Sequence, residues 1–125
     1  MSVIVDTSVW VEYFRKGNDF GKVDYLIDEN IVVINELILT ELTPFLLLRN
    51  HLKLINLLKN INRKPISLNW NNLVEIQYQC LKKGINGVGI PDLIISQNAI
   101  QNNCKIYSLD KHFHEMSKFL DFDIF

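Results

Sequence analysis

Residues 2–6 read SVIVD and residues 7–15 read TSVWVEYFR, and the change of period between them decides the fold class. Ser2–Asp6 is a short, β-branched apolar run that ends in an acid, the pattern of a strand buried on both faces. Beyond it Val9, Trp10, Tyr13 and Phe14 recur at helical spacing, and Gly17-Asn18 marks a helix end. A buried strand that runs at once into an amphipathic helix is the opening of a parallel α/β sheet.

Outward from this unit the alternation continues. A short helix is expected over Phe20–Asp28, with Val23, Leu26 and Ile27 inward, and a second buried strand over Ile31–Ile34. Asn35 is placed to cap a helix over Glu36–Leu48. Pro44 has no N–H to donate inside it, so that helix should kink or restart near Thr43. A helix over His51–Ile61 turns Leu52, Ile55, Leu58 and Ile61 to one face. Pro65–Leu68 reads as a brief strand. Asn69 caps a helix over Trp70–Lys83 that Gly84 closes as the residue after the C-cap. A loop with Gly87 and Gly89 leads to a helix opened by Pro91 and followed at once by Asp92. Lys105–Leu109 is a strand, Asp110–Phe119 a helix and Asp123–Phe125 a short last strand. The expected fold is α/β, a mostly parallel central sheet of four to five short strands flanked by helices, with residues 1–125 forming one domain.

The composition agrees. Of 125 residues 48% are hydrophobic and 22% charged, and the mean hydropathy is +0.08, so wholesale disorder is excluded. The longest apolar runs fall far short of the roughly 20 residues that span a bilayer. Residues 1–10 show neither a basic segment nor a small-residue cleavage site, and a cytoplasmic protein with no membrane partner is expected. Cys80 and Cys104 have no CxxC partner, which points to reduced, buried thiols. His51, His112 and His114 lack zinc spacing; on a helix the last two point about 200° apart.

Net charge is −1, but its distribution is uneven. Residues 1–41 sum to −5, residues 42–91 to +6 and residues 92–125 to −2. The basic middle holds Arg49, Lys53, Lys59, Arg63, Lys64, Lys82 and Lys83. It reads either as a set of solvated helix faces or as a surface that grips a polyanion.

In a parallel sheet, ligands bind beyond the carboxyl ends of the strands. Asp6 and Asp110 follow strands there, Asp92 lies in the first turn of a helix opening toward that edge, and Glu41 lies on the helix after the second strand. Singly, each has a structural explanation as a cap, a dipole partner or an exposed glutamate. Together, four carboxylates would repel one another unless a hard divalent cation such as Mg²⁺ or Mn²⁺ sits among them. That chemistry is phosphodiester hydrolysis by a metal-activated water.

Four motifs in order, IVDTSVWVEYF, LTEL, GIPDLIIS and IYSLDKHF, resemble the PIN domain, and more narrowly the VapC-type toxins of bacterial toxin–antitoxin pairs. The resemblance covers essentially the whole chain. It implies a Rossmann-like sheet and a metal-dependent endoribonuclease whose acidic quartet falls on Asp6, Glu41, Asp92 and Asp110. It implies that Ser8 and Ser108 support the metal shell, that the protein pairs as a homodimer and that a small antitoxin silences it. Arg49, Lys53, Arg63, Lys82, Lys83 and His112 are candidate RNA contacts, His112 standing where some relatives carry another acid. The chain departs from many relatives at Thr43-Pro44, where they have glycine, and at residues 95–98 (ISQN), where they have small residues.

Other α/β classes fit poorly. A receiver domain needs an acidic pair after the first strand, and Asp6 is followed by Thr-Ser; a haloacid-dehalogenase-type phosphatase needs DxD, and position 8 is serine. No glycine loop of the GxGxxG or GK[ST] kind is present. The remaining alternative is a PIN-like module that binds RNA or protein without cutting.

Overall fold

The computed structural model describes residues 1–16 and 21–125. The expected helix end at Gly17-Asn18 and the expected helix start at Phe20 lie outside the described residues. Four strands, β1 (Val3–Val5), β2 (Val32–Ile34), β3 (Asn62–Arg63) and β4 (Lys105–Tyr107), pair in the order β3-β2-β1-β4. Every pairing is parallel. The central strands β1 and β2 are buried along their whole length, which is why they are continuous apolar runs rather than alternating ones. The last strand expected at Asp123–Phe125 appears as a single parallel bridge between Ile106 and Ile124 on the outer side of β4.

Among the described residues the helices are α1 (Thr7–Lys16), α2 (Lys22–Asp28), α3 (Glu36–Leu48), α4 (Leu52–Lys59), α5 (Trp70–Lys82), α6 (Ile90–Asn102) and α7 (Lys111–Ser117). The core between helices and sheet includes Ile4, Val9, Trp10, Ile38, Leu42, Leu93, Ile95, Ile106 and Phe113, all almost completely shielded from solvent. Removing a side chain such as Ile4 from this layer would cost about 2–5 kcal/mol.

The helix ends follow their local chemistry. Asn35 and Asn69 cap α3 and α5, accepting from the backbone N–H of Ile38 (2.9 Å) and Asn72 (3.0 Å). Gly84, at φ 76°, closes α5: the N–H of Ile85 reaches the Cys80 carbonyl at 2.8 Å and that of Gly84 reaches Leu81 at 3.1 Å, the two bonds of a Schellman ending. The helix over Glu36–Leu48 continues through Pro44 without restarting; only the Thr40 carbonyl loses its intrahelical donor, and burial of Leu39, Leu42 and Leu46 holds the helix together. Leu52, expected inward, is exposed, whereas Ile55 and Leu58 are buried.

Pro65–Leu68 is not a strand. The ladder with β2 forms earlier, at Asn62–Arg63, and the following segment is held by amide side chains of α6. Asn98 Nδ2 donates to the Pro65 carbonyl (3.0 Å), Gln101 Nε2 to that of Ser67 (2.9 Å) and Gln97 Nε2 to that of Asn69 (3.0 Å). Asn35 Nδ2 in turn donates to Asn98 Oδ1 at 3.1 Å. Ser96, Gln97 and Asn98, the polar stretch where many relatives have small residues, are thus buried and partnered. Asn98 ties the helix carrying Asp92 to Asn35 at the start of the helix carrying Glu41, and Gln97 ties it to the start of α5.

Candidate metal centre

Parallel strands deliver their carboxyl ends to one edge of the sheet. Asp6 follows β1, Ser108 follows β4, and Asp110 caps α7, so residues more than 100 positions apart meet there. The Asp6 side chain is 7% exposed. Its Oδ2 accepts from the hydroxyls of Ser8 and Ser108, each at 2.8 Å. Those hydroxyls also accept from the backbone, Ser8 Oγ from Leu109 N–H (3.1 Å) and Ser108 Oγ from Asp110 N–H (3.0 Å). The two serines therefore lock the turn after β4 onto the end of β1 and fix the orientation of the Asp6 carboxylate.

Asp110 Oδ1 accepts from the His112 N–H at 2.9 Å, so the capping role open to this residue is real, and it does not remove the carboxylate from the edge. Asp92, in the first turn of α6, faces the same place. Its pKa is raised: burial contributes most, then the charges of Asp110 and Asp6, while a backbone hydrogen bond from Gly89 and the His112 ring act in the opposite sense. Among the described residues, no lysine or arginine forms an ion pair with Asp6, Glu41, Asp92 or Asp110.

Glu41 stands slightly apart. It is exposed on α3 despite its apolar sequence neighbours, and its Oε1 accepts from the Thr7 hydroxyl at 2.7 Å, one residue along from Asp6. Each member of the quartet is thus held by a hydroxyl, a cap or a helix start.

His112 was a candidate phosphate contact in the sequence. The structure sets its Nδ1 3.1 Å from Asp110 Oδ1 and 4.0 Å from Asp92 Oδ2, and these three residues form a cluster whose donor atoms lie within 4.8 Å of one another. Sequence spacing could not reveal it, because Asp92 is 20 positions away on another helix.

Several of the basic residues have partners within the chain. Arg63, at the end of β3, pairs with Glu36 at 2.6 Å. Arg49 lies over the Phe45 ring, Lys82 over Tyr78 and Lys83 over Phe119.

A parallel α/β sheet with carboxylates beyond its strand ends places acidic side chains where ligands of such sheets bind. The PIN domain model matches residues 3–119, and the chain belongs to that family. Three solved structures show the same fold. The chain is similar to VapBC2 of Rickettsia felis bound to a DNA fragment from its promoter (21% identity, 99% of this chain and 96% of that one, TM-score 0.75). It is similar to DNA-bound VapBC of Salmonella typhimurium (13%, 100% and 97%, 0.76). It is also similar to Mycobacterium tuberculosis VapC20, described as a toxin that cleaves the sarcin-ricin loop (13%, 95% and 96%, 0.63). No curated protein matches the sequence. Among the described residues, no helix is long and apolar enough to cross a membrane.

Proposed function

We propose that this protein is a metal-dependent endoribonuclease, the toxin of a toxin–antitoxin pair, with Asp6, Glu41, Asp92 and Asp110 as its acidic quartet. The observation that carries the reading is the convergence of Asp92, Asp110 and His112, whose donor atoms lie within 4.8 Å of one another, with no lysine or arginine paired to the carboxylates among the described residues. A site that concentrates negative charge and leaves it uncompensated suits a divalent cation. The donor set fits Mg²⁺ or Mn²⁺, which Asp6, Asp92 and Asp110 would hold with Glu41 beside them.

A bound ion of this kind supplies a water of lowered pKa and neutralises charge developing on the phosphodiester. The chain supplies orientation. Ser8 and Ser108 keep Asp6 turned to the edge, the Asp110 cap fixes that carboxylate, and the Asn35–Asn98 contact holds α3 and α6 in register. Glu41, exposed on α3, accepts from the Thr7 hydroxyl, which adjoins Asp6 in the chain. Arg49, Lys53, Arg63, Lys82 and Lys83 are the cations available to RNA phosphates. A small cognate antitoxin, supported by the shared fold with VapBC complexes, completes the reading, with a homodimeric assembly in the cytoplasm proposed beside it.

The test is cleavage of single-stranded and loop RNA by purified protein. Mg²⁺ or Mn²⁺ should support cutting, EDTA should stop it, and Asp92→Asn should abolish it while the circular dichroism spectrum stays native. RNA binding without cutting under every metal condition would instead establish the non-catalytic module.

A further inference from the structure

From the geometry we infer that His112 is itself a metal ligand, through Nδ1, and that this nitrogen makes the site prefer Mn²⁺ and other transition ions over Mg²⁺. The inference rests on the metal site proposed above.

The ring is pinned from its far side. Nε2 lies 3.0 Å from the Asn86 carbonyl oxygen, and a carbonyl can only accept, so Nε2 carries the proton. In the neutral ring Nδ1 is then a bare lone pair. That atom is buried and has no hydrogen-bond partner, although the side chain as a whole is 19% exposed. Its neighbours are carboxylate oxygens, which are acceptors too, and the nearer one lies out of line for a hydrogen bond. With the ring neutral, acceptors face acceptors there, an arrangement that a bound cation would satisfy.

The spacing suits one. A small cation held by all three side chains would need their donor atoms within a few ångströms of one another. The contacts of Nδ1 are 3.1 Å to Asp110 and 4.0 Å to Asp92.

The support behind the ring has the form that metal-bound histidines require, one nitrogen for the ion and the other N–H given to a backbone carbonyl. Gly87 lines the loop beside the ring in a backbone conformation that favours glycine. Its φ is 81°, and an added Cβ there would lie 3.7 Å from Cε1 and Nε2. Imidazole binds transition ions well and Mg²⁺ poorly. A histidine in place of an acid therefore shifts the site's selectivity.

Pulsed electron paramagnetic resonance on Mn²⁺-loaded wild-type protein reads the contact directly. A coupling from a coordinated imidazole ¹⁴N is expected, lost in His112→Ala and in His112→Asp. Calorimetric titration should show Mn²⁺ affinity falling about tenfold or more in His112→Ala, and the Mn²⁺/Mg²⁺ affinity ratio shrinking in His112→Asp. Mn²⁺ bound with no nitrogen coupling in the wild type would overturn the role of His112 and leave the acidic site standing. No Mn²⁺ binding at all would overturn both. Because the wild-type spectrum decides the first point, a variant that fails to fold does not rescue the inference.

Discussion

The acidic and the basic residues of this chain are arranged differently. Four of the fourteen acids stand far apart in the sequence, at positions 6, 41, 92 and 110, and the fold brings Asp6, Asp92 and Asp110 close enough to act on one another. The bases are concentrated in residues 42–91, and there Arg63 pairs with a carboxylate while Arg49, Lys82 and Lys83 lie over aromatic rings. Clustering along a chain and clustering in space are separate properties. Among the described residues these carboxylates form no ion pair with lysine or arginine, and His112 alone stands beside two of them.

Breaking the acidic side should give the largest effect. Asp92→Asn keeps shape and removes one anion, so RNA cleavage should fall at least a hundredfold, equivalent to about 2.7 kcal/mol of lost transition-state stabilisation. Single-turnover rates at saturating Mn²⁺ measure it. The same substitution sharpens the contrast in stability. The folded-state pKa of Asp92 is raised, so between its ordinary value and its folded value the native state binds more protons than the unfolded one. Its contribution to apo stability is present below that window and is lost as pH rises through it. Urea unfolding in EDTA should show wild type weakening over that rise and Asp92→Asn weakening less.

The amide clasp is the neutral counterpart of the acidic edge, a buried polar group that is satisfied within the chain. Asn98→Ala would leave Asn35 Nδ2 and the Pro65 carbonyl without partners, a loss of about 1–3 kcal/mol. Denaturant midpoints would show it, and if Asn98 aligns the helices that carry Glu41 and Asp92, the cleavage rate should fall with it.

The basic side should yield the smallest changes. Arg63→Ala removes a partly exposed ion pair worth a few tenths of a kcal/mol. If Arg63 also contacts RNA, the log–log salt dependence of binding should become shallower by about 0.7. Unchanged slopes for all five basic substitutions would return those residues to solvated helix faces.

The sequence made some of this plain and concealed the rest for physical reasons. β1, β2 and their helices were readable because burial on both faces writes an uninterrupted apolar run, and Asn35, Asn69 and Gly84 announced helix ends through side-chain and backbone chemistry that is local. Pro65–Leu68 misled because extended backbone has two ways to satisfy its carbonyls, a strand ladder or side-chain amides. Here Gln97, Asn98 and Gln101, some thirty residues later, take the place of a ladder. Pro44 misled in the other direction, since tertiary burial outweighs one missing hydrogen bond. Asp6, Asp92 and Asp110 could be nominated from their places after strands and at a helix start. The approach of His112 to Asp92 could not, because nothing in the spacing of two helices encodes their angle.

Thermal melting of wild-type protein in EDTA and in millimolar Mn²⁺ tests the central claim, that the gathered carboxylates form a cation site, most directly. At a hundredfold excess over Kd, binding to the native state alone adds about 2.7 kcal/mol, which raises the melting temperature by roughly 10 °C in a protein of this size. Asp110→Asn retains a capping side chain and removes a charge, so it should melt higher than wild type in EDTA and gain less from Mn²⁺. A wild-type melting temperature that Mn²⁺ leaves unmoved would contradict the account.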